Sequence, residues 1–223
     1  MPRLPGTTMS TSAPRLSAAS ALFAAVAALI AVVASVVLAV GGHAAASAGK
    51  LPLEDYAPYQ PQTRCSPHDK PGAVLLLATI VHRFGGSPGR IGTPCDGSTS
   101  EHHEGRALDW MIDARTAEGR AAADRLLTWL FEDDADGDPA ARARRLGVMY
   151  VIWNDHIYGS YRGFAPEKYR NSACPPKKKL RACSPTLRHR DHVHISLTRA
   201  GGKGLTSWFV GRLGRPSVSP VHR

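Results

Sequence analysis

The chain has 223 residues, of which 43% are hydrophobic and 21% charged, with a formal net charge of +10. That length allows one domain with a real core, alone or with appendages, and excludes a large multidomain assembly. The positive excess favours an anionic surface as partner and counts against a basic one.

Residues 1–48 stand apart from the rest. Arg3 and Arg15 are the only charges before Lys50, and the apolar run from Ala18 to Val40 is broken only by Ser20 and Ser35. Ala44-Ala45-Ala46-Ser47-Ala48 follows. A basic start, an apolar stretch and an Ala-x-Ala ending read as a secretory signal. The stretch also meets the roughly 20 apolar residues that an uncleaved membrane anchor needs. On either reading the remainder lies outside the cytoplasm, secreted or wall-associated, and touches membrane only through this segment. Losing residues 1–48 removes two arginines and no acids, so +10 becomes +8. Export favours an anionic cell-wall polymer over nucleic acid as the partner of that charge.

Cys65, Cys95, Cys174 and Cys183 form an even set in an exported chain, so two disulfides are expected. Sequence neighbours favour Cys65–Cys95 and Cys174–Cys183. A structural zinc on all four is disfavoured, because no Cys-x-x-Cys knuckle is present.

Residues 49–70 are rich in Pro, Gln and Tyr without a helical period, and read as a linker or extended arm. A domain over 71–213 follows, with a tail over 214–223. Asp69 is placed to cap a buried helix whose first turn holds Pro71, whose apolar stretch runs from Ala73 to Phe84, and which Gly85-Gly86 ends. Residues 87–100 are loop. From Arg106 to Ile112 the pattern alternates, with Ala107, Asp109 and Met111 on one face of a strand and Leu108, Trp110 and Ile112 on the other. A second helix spans about Thr116 to Glu132, with Ala123, Leu126, Leu127, Leu130 and Phe131 on its inner stripe. Asp133 to Asp138 imitates a calcium loop but lacks the bidentate Glu, so a solvated turn is the better reading. Asp138-Pro139 opens a short basic helix that Gly147 closes. Val148–Trp153 and about His156–Ser160 are strands joined by an Asn154-Asp155 turn. Residues 162–190 read as irregular and basic, with Lys177-Lys178-Lys179 between Cys174 and Cys183. His192–Leu197 is the last strand, Val193, Ile195 and Leu197 inward and His192, His194 and Ser196 opposite. Helices and antiparallel-looking strands mix without a βαβ rhythm. The class is α+β, a small, mainly antiparallel sheet with flanking helices.

The chemistry gathers in His102-His103-Glu104-Gly105-Arg106-Ala107-Leu108-Asp109-Trp110 and, far downstream, Asp191-His192-Val193-His194. A turn at Gly105 can bring His102 and Asp109 to one point, and His194 can supply a third ligand. Two imidazoles and a carboxylate suit Zn2+ with a position left for water, whose pKa falls to about 7 in favourable sites. A carboxylate nearby can then move protons, and Asp191 is the candidate. In an ideal strand, however, His192 shares a face with His194 and Asp191 does not. Either the strand starts irregularly at Asp191, or His192 is the working residue. His43, His68, His82 and His222 carry no pattern; His103, His156 and His189 stay open.

Ser100-Glu101-His102-His103-Glu104-Gly105-Arg106-Ala107-Leu108-Asp109 matches Ser-x-His-x-x-Gly-x-Ala-x-Asp at every fixed place. The chain thereby resembles the zinc D-Ala-D-Ala carboxypeptidases and related peptidoglycan peptidases, which share a fold with the metal-binding domain of hedgehog proteins. It looks closer to secreted actinobacterial members than to the well-known carboxypeptidases. The second family element is an acid three residues before the last ligand, or a His-x-His, and Asp191-His192-Val193-His194 contains both. The resemblance covers roughly residues 70–210, with strong matching confined to the two motifs. It implies His102, Asp109 and His194 as zinc ligands, Asp191 as general base and peptidoglycan as substrate. Val193 stands where relatives carry an aromatic residue. The upstream Arg or Gln that stabilises the oxyanion in relatives falls on Arg90, with Arg83 the alternative. Two rival functions remain: a catalytically inactive, metal-containing wall-binding module, and a secreted nuclease, which the lack of an aromatic-rich stacking surface disfavours.

Overall fold

A computed structural model describes residues 51–175 and 179–213. The signal or anchor over 1–48, His43, Lys177, Lys178, His222 and the tail over 214–223 lie outside the described residues. Among the described residues, no helix is long and apolar enough to cross a membrane.

The class is α+β. In chain order the principal elements are α1 (Pro71–Phe84), β1 (Ser87–Pro88), a 3-10 turn (Glu101–Glu104) and β2 (Ala107–Met111). Next come α2 (Ala117–Phe131), α3 (Ala141–Leu146), β3 (Val148–Trp153) and β4 (His156–Gly159). β5 (Pro166–Lys168), β6 (His192–Leu197) and α4 (Arg199–Gly202) complete the domain. The six strands form one sheet in the order β1-β2-β6-β3-β4-β5, and every pairing is antiparallel.

Period-2 alternation sorts the sheet into a core face and a site face. Leu108, Trp110, Val193, Ile195 and Leu197 point into the core, where Ala73, Leu76 and Ile80 of α1 and Ala123, Leu126 and Leu130 of α2 cover them. Burying each large apolar side chain contributes about 1.5–3 kcal/mol. The indole of Trp110 keeps its one polar atom satisfied, Nε1 donating to the Gly85 carbonyl at 2.8 Å. The opposite face carries Asp109, His192, His194 and Ser196, because Asp109 pairs with His194 and Met111 with His192 in register.

Several local expectations need correction. Lys70, not Asp69, is the N-cap of α1, and it makes no side-chain cap hydrogen bond. Asp69 Oδ1 instead accepts from the Gly92 amide at 2.7 Å. That loop passes so close that a Cβ on Gly92 would lie 1.6 Å from the Pro67 carbonyl oxygen. Helix α3 starts at Ala141 rather than at Asp138-Pro139, because Ala140 takes a left-handed conformation (φ 48°). The segment read as irregular contains β5, a three-residue edge strand, where Pro166 needs no ladder donor. On α2, Trp129 is buried, while Leu127 and Phe131 lie at the margin of the core. The Asn154-Asp155 turn has φ of 45° and 66°, the two positive values that a tight right-twisted hairpin requires. Asp134 Oδ1 accepts from the amides of Asp136 and Asp138, which makes that acidic stretch a hydrogen-bonded turn.

From Leu51 onward the segment read as a linker or arm belongs to the same compact unit as the domain. It has neither helix nor strand before Pro71. It is tied down by Ala57 N–H to Ser160 Oγ (2.7 Å), Thr63 N–H to Glu104 Oε1 (3.0 Å) and Ser66 N–H to the His103 carbonyl (2.7 Å). The disulfides are Cys65–Cys95, which staples this arm to the loop before the 3-10 turn, and Cys174–Cys183. Both point to an oxidising compartment.

Gly105 links fold and site. Its φ is 63°, and a Cβ there would lie 1.9 Å from the His68 carbonyl oxygen. Gly105→Ala is therefore expected to cost about 2–5 kcal/mol, from left-handed strain plus overpacking. Chemical denaturation measures it, and a loss below about 1 kcal/mol would show that the turn tolerates a side chain.

Candidate metal centre

The 3-10 turn is set by Ser100, whose hydroxyl accepts from the His102 amide, and is closed by left-handed Gly105. It delivers His102 to the site face just before β2 delivers Asp109. Strand β6, paired with β2, delivers His194 opposite Asp109. The three side chains are buried. Their facing atoms form a nearly equilateral triangle. His102 Nε2 to His194 Nδ1, His102 Nε2 to Asp109 Oδ1 and His194 Nδ1 to Asp109 Oδ1 are each 3.2 Å.

Neighbouring groups decide what those atoms present. His102 Nδ1 lies 2.5 Å from the Ile91 carbonyl, which can only accept, so Nδ1 carries the proton and Nε2 faces inward with its lone pair. His194 Nε2 contacts Ser196 Oγ at 2.8 Å, and that hydroxyl lies 3.5 Å from Glu101 Oε2. The Glu101 carboxylate only accepts, so the chain runs from His194 Nε2–H through Ser196 to Glu101. His194 Nδ1 then also faces inward as an acceptor. The Tyr150 hydroxyl donates to the same Glu101 oxygen at 2.5 Å. Arg90 Nε donates to Asp109 Oδ2 at 2.7 Å, leaving Oδ1 for the triangle. Three inward acceptors at 3.2 Å repel one another unless a cation or proton lies among them. A tetrahedral ion with ligands at about 2.0–2.1 Å spaces its ligand atoms about 3.3 Å apart, so the triangle fits such an ion. These three residues could hold a metal ion.

When a proton rather than a cation lies among the three atoms, it is shared from an imidazole to the carboxylate. Burial alone would raise the Asp109 carboxyl, but hydrogen bonding and charge from His102 and His194 then outweigh it and hold the carboxyl well below its ordinary range. Burial lowers the His194 imidazole below its ordinary value, which favours the neutral form a metal requires.

Asp191 does not reach the triangle. Its Oδ1 pairs with His192 Nδ1 at 2.7 Å, and its Oδ2 accepts from the Thr186 hydroxyl at 2.6 Å. His192, on the same face as His194, brings Nε2 to 3.7 Å from Asp109 Oδ1. The open choice between these residues is thus a series: Asp191 holds His192, and His192 faces the site. Of the two arginines, Arg90 is at the centre. Arg83 lies over the rings of Phe84 and Trp129, away from it.

Sequence reasoning missed Glu101, Tyr150 and Ser196, and left His189 undecided. Ser196 was findable, being two residues after His194 on the same face. The Tyr150 ring stacks on that of His194 at 5.5 Å, a cross-strand contact that no spacing reveals. His189 is buried, with its ring 4.8 Å from that of His192 and 5.7 Å from that of His194. Burial, with the nearby His194 and His192, pushes its pKa down to about 2, so it stays neutral. His103 is buried outside the triangle against Gln62 and the Ser98 carbonyl, and His156 is exposed on the hairpin. Neither His68 nor His82 belongs to the triangle.

Residues 65–175 match the family model described as VldE, C-terminal domain. The match includes His102 and Asp109 but ends before Asp191, His192 and His194. The chain matches no curated protein and no solved structure.

Proposed function

We propose that this domain is a secreted zinc peptidase of the hedgehog-like type that cleaves peptide bonds in peptidoglycan stem peptides or cross-links. The observation that carries the reading is the triangle of buried acceptors, with a carboxylate–histidine pair beside it. The chemistry of the donor set, two imidazoles and one carboxylate, is that of a hydrolytic zinc site. When bound there, zinc supplies Lewis acidity and lowers the pKa of water to about 7.

The chain's own residues divide the remaining work. Asp191 keeps the His192 ring oriented through Nδ1, leaving Nε2 toward the site. His192 Nε2 takes a proton during attack and returns one to the leaving amine. Arg90 fixes Asp109 through Oδ2 and brings a guanidinium to the site, where charge develops on the substrate carbonyl oxygen. Ser196 and Glu101 hold His194 in the tautomer that ligates. The basic surface keeps the enzyme on the anionic wall.

Metal analysis and digestion of purified muropeptides test this. Stoichiometric zinc and chelator-sensitive cleavage are expected; absence of both defeats the reading. Asp191→Ala and His192→Ala are each expected to lower the cleavage rate about 100-fold or more with zinc retained. The double variant should be little worse than either single one, because the two side chains act as a unit. Wall binding without cleavage, unchanged in both variants, would assign the inactive binding module instead.

A further inference from the structure

Away from the metal triangle, a cavity of about 160 Å3 opens between the N-terminus of α1, helix α4 and the arm. A single water needs only about 10–15 Å3 on the same measure, so the space admits a polyatomic ion. Its floor is the buried pair Glu104–Arg106, and its walls carry Arg64, Lys70, Arg199 and Lys203. None of these belongs to the metal group. Arg106 has the parity of Leu108, so it faces the core side of β2 while Asp109 faces the other.

The floor is electrically closed. Glu104 Oε2 accepts from Arg106 Nε at 2.6 Å, and Oε1 accepts from the Thr63 amide and hydroxyl at 3.0 and 3.2 Å. Four cations remain above it. Arg64, Lys70 and Lys203 pair with no carboxylate among the described residues. Arg199 Nη2 donates to the Pro61 carbonyl at 2.6 Å and the Thr63 hydroxyl at 3.1 Å, and its one carboxylate approach among the described residues is 3.8 Å to the already occupied Glu104 Oε1. Lys70 Nζ is held toward Ser66 Oγ at 3.1 Å, which adds a hydroxyl to the wall. The positive end of the α1 dipole lies on the same side, since Lys70 is its N-cap. Arg64 and Ser66 flank Cys65, whose disulfide to Cys95 holds that wall in place before any ligand arrives.

We propose that this cavity is a binding site for a phosphate group. Like charges gathered around one space repel, and an anion relieves the repulsion. A phosphoryl group offers several oxygens and up to two negative charges, enough for guanidinium forks, ammonium groups and a hydroxyl together, whereas a carboxylate offers two oxygens and one charge. The same chemistry is found in free phosphate and in a wall phosphodiester polymer.

Calorimetric titration of the full chain with inorganic phosphate, at physiological ionic strength, tests the site. One saturable equivalent is expected for the unaltered protein and for Asp109→Ala. Arg64→Gln combined with Lys203→Gln is expected to weaken binding about tenfold or more, since charge-assisted contacts are lost. Both residues are exposed, so the variant should fold, and circular dichroism checks that it does. Absence of saturable binding, binding that survives the double variant, or binding that vanishes with Asp109→Ala would each overturn the proposal. A second titration uses poly(glycerol phosphate). Retention that inorganic phosphate competes away assigns the polymer as source; phosphate binding without polymer retention assigns the free ion. Zinc content and muropeptide cleavage are untouched in the double variant, so this site and the peptidase reading fail separately.

Discussion

Replacing Asp109 by alanine should lower metal affinity at least about 100-fold, since even loss of an outer partner of a ligand costs about 10–100-fold. Hydrolysis should disappear with the metal. Oδ1 is one corner of a triangle whose other corners are neutral imidazole nitrogens, so Asp109 is the triangle's sole negative charge. Without it, two imidazoles remain, and neither offsets the charge of a divalent cation. Asp109→Asn should fail nearly as badly, since it keeps the shape and removes the charge. Competition against a chromogenic chelator measures the affinity. Metal retained at unchanged affinity in Asp109→Ala would remove the residue from the centre. Affinity should also fall as pH falls, because each imidazole must be neutral to ligate. The downward shift at His194 displaces that loss toward lower pH for this ligand.

Arg106→Ala should be the most destabilising single change away from the metal centre, at about 3–5 kcal/mol. The Arg106 side chain is 2% exposed. It donates to Glu104 Oε2 at 2.6 Å, to the Leu197 carbonyl at 2.6 Å and to the Gln60 carbonyl. Its Nη2 also lies 3.8 Å from buried Glu101 Oε1, so truncation leaves two carboxylates and two carbonyls without this partner, and most of the loss is the uncompensated charge. Adding Glu104→Gln to the variant should therefore recover part of the stability. Arg106→Lys should recover little, since one ammonium cannot span three acceptors that a planar fork reaches. Glu104 gives the matching pH dependence. Burial raises its carboxyl, the Thr63 amide and Arg106 outweigh that, and the folded pKa lies below the ordinary 4.5. A folded pKa below the unfolded one adds stability above the unfolded value. That stability is lost as pH falls from about 4.5 through the folded pKa. Urea denaturation at neutral and acid pH follows both effects. A loss under about 1 kcal/mol in Arg106→Ala would mean that water replaces the guanidinium.

Much of this molecule is readable from local pattern. Alternation in Ala107–Met111 and His192–Leu197 sets which residues share a face, and the glycine between His102 and Asp109 sets a turn. Those regularities act over a few residues, so β2, β6, both longer helices and the three facing side chains follow from spacing and motif. The two disulfide pairings likewise follow from sequence neighbours.

Other features depend on contacts between segments far apart in the chain. Asp69 is not the cap of α1, and its Oδ1 accepts instead from the Gly92 amide of a loop 23 residues on. Arg90 meets Asp109, Tyr150 meets Glu101 and the arm meets Glu104 only once strands and loops have packed. Asp191 turns to His192 because Thr186 holds its other oxygen, a choice that strand parity alone leaves open. Residue order along the chain settles periodicity and hence the three inward ligands, because those are set by short-range geometry. Which hydrogen-bond partner each polar group takes was settled by packing, because a buried donor or acceptor must take the partner within reach, wherever in the chain that partner originates.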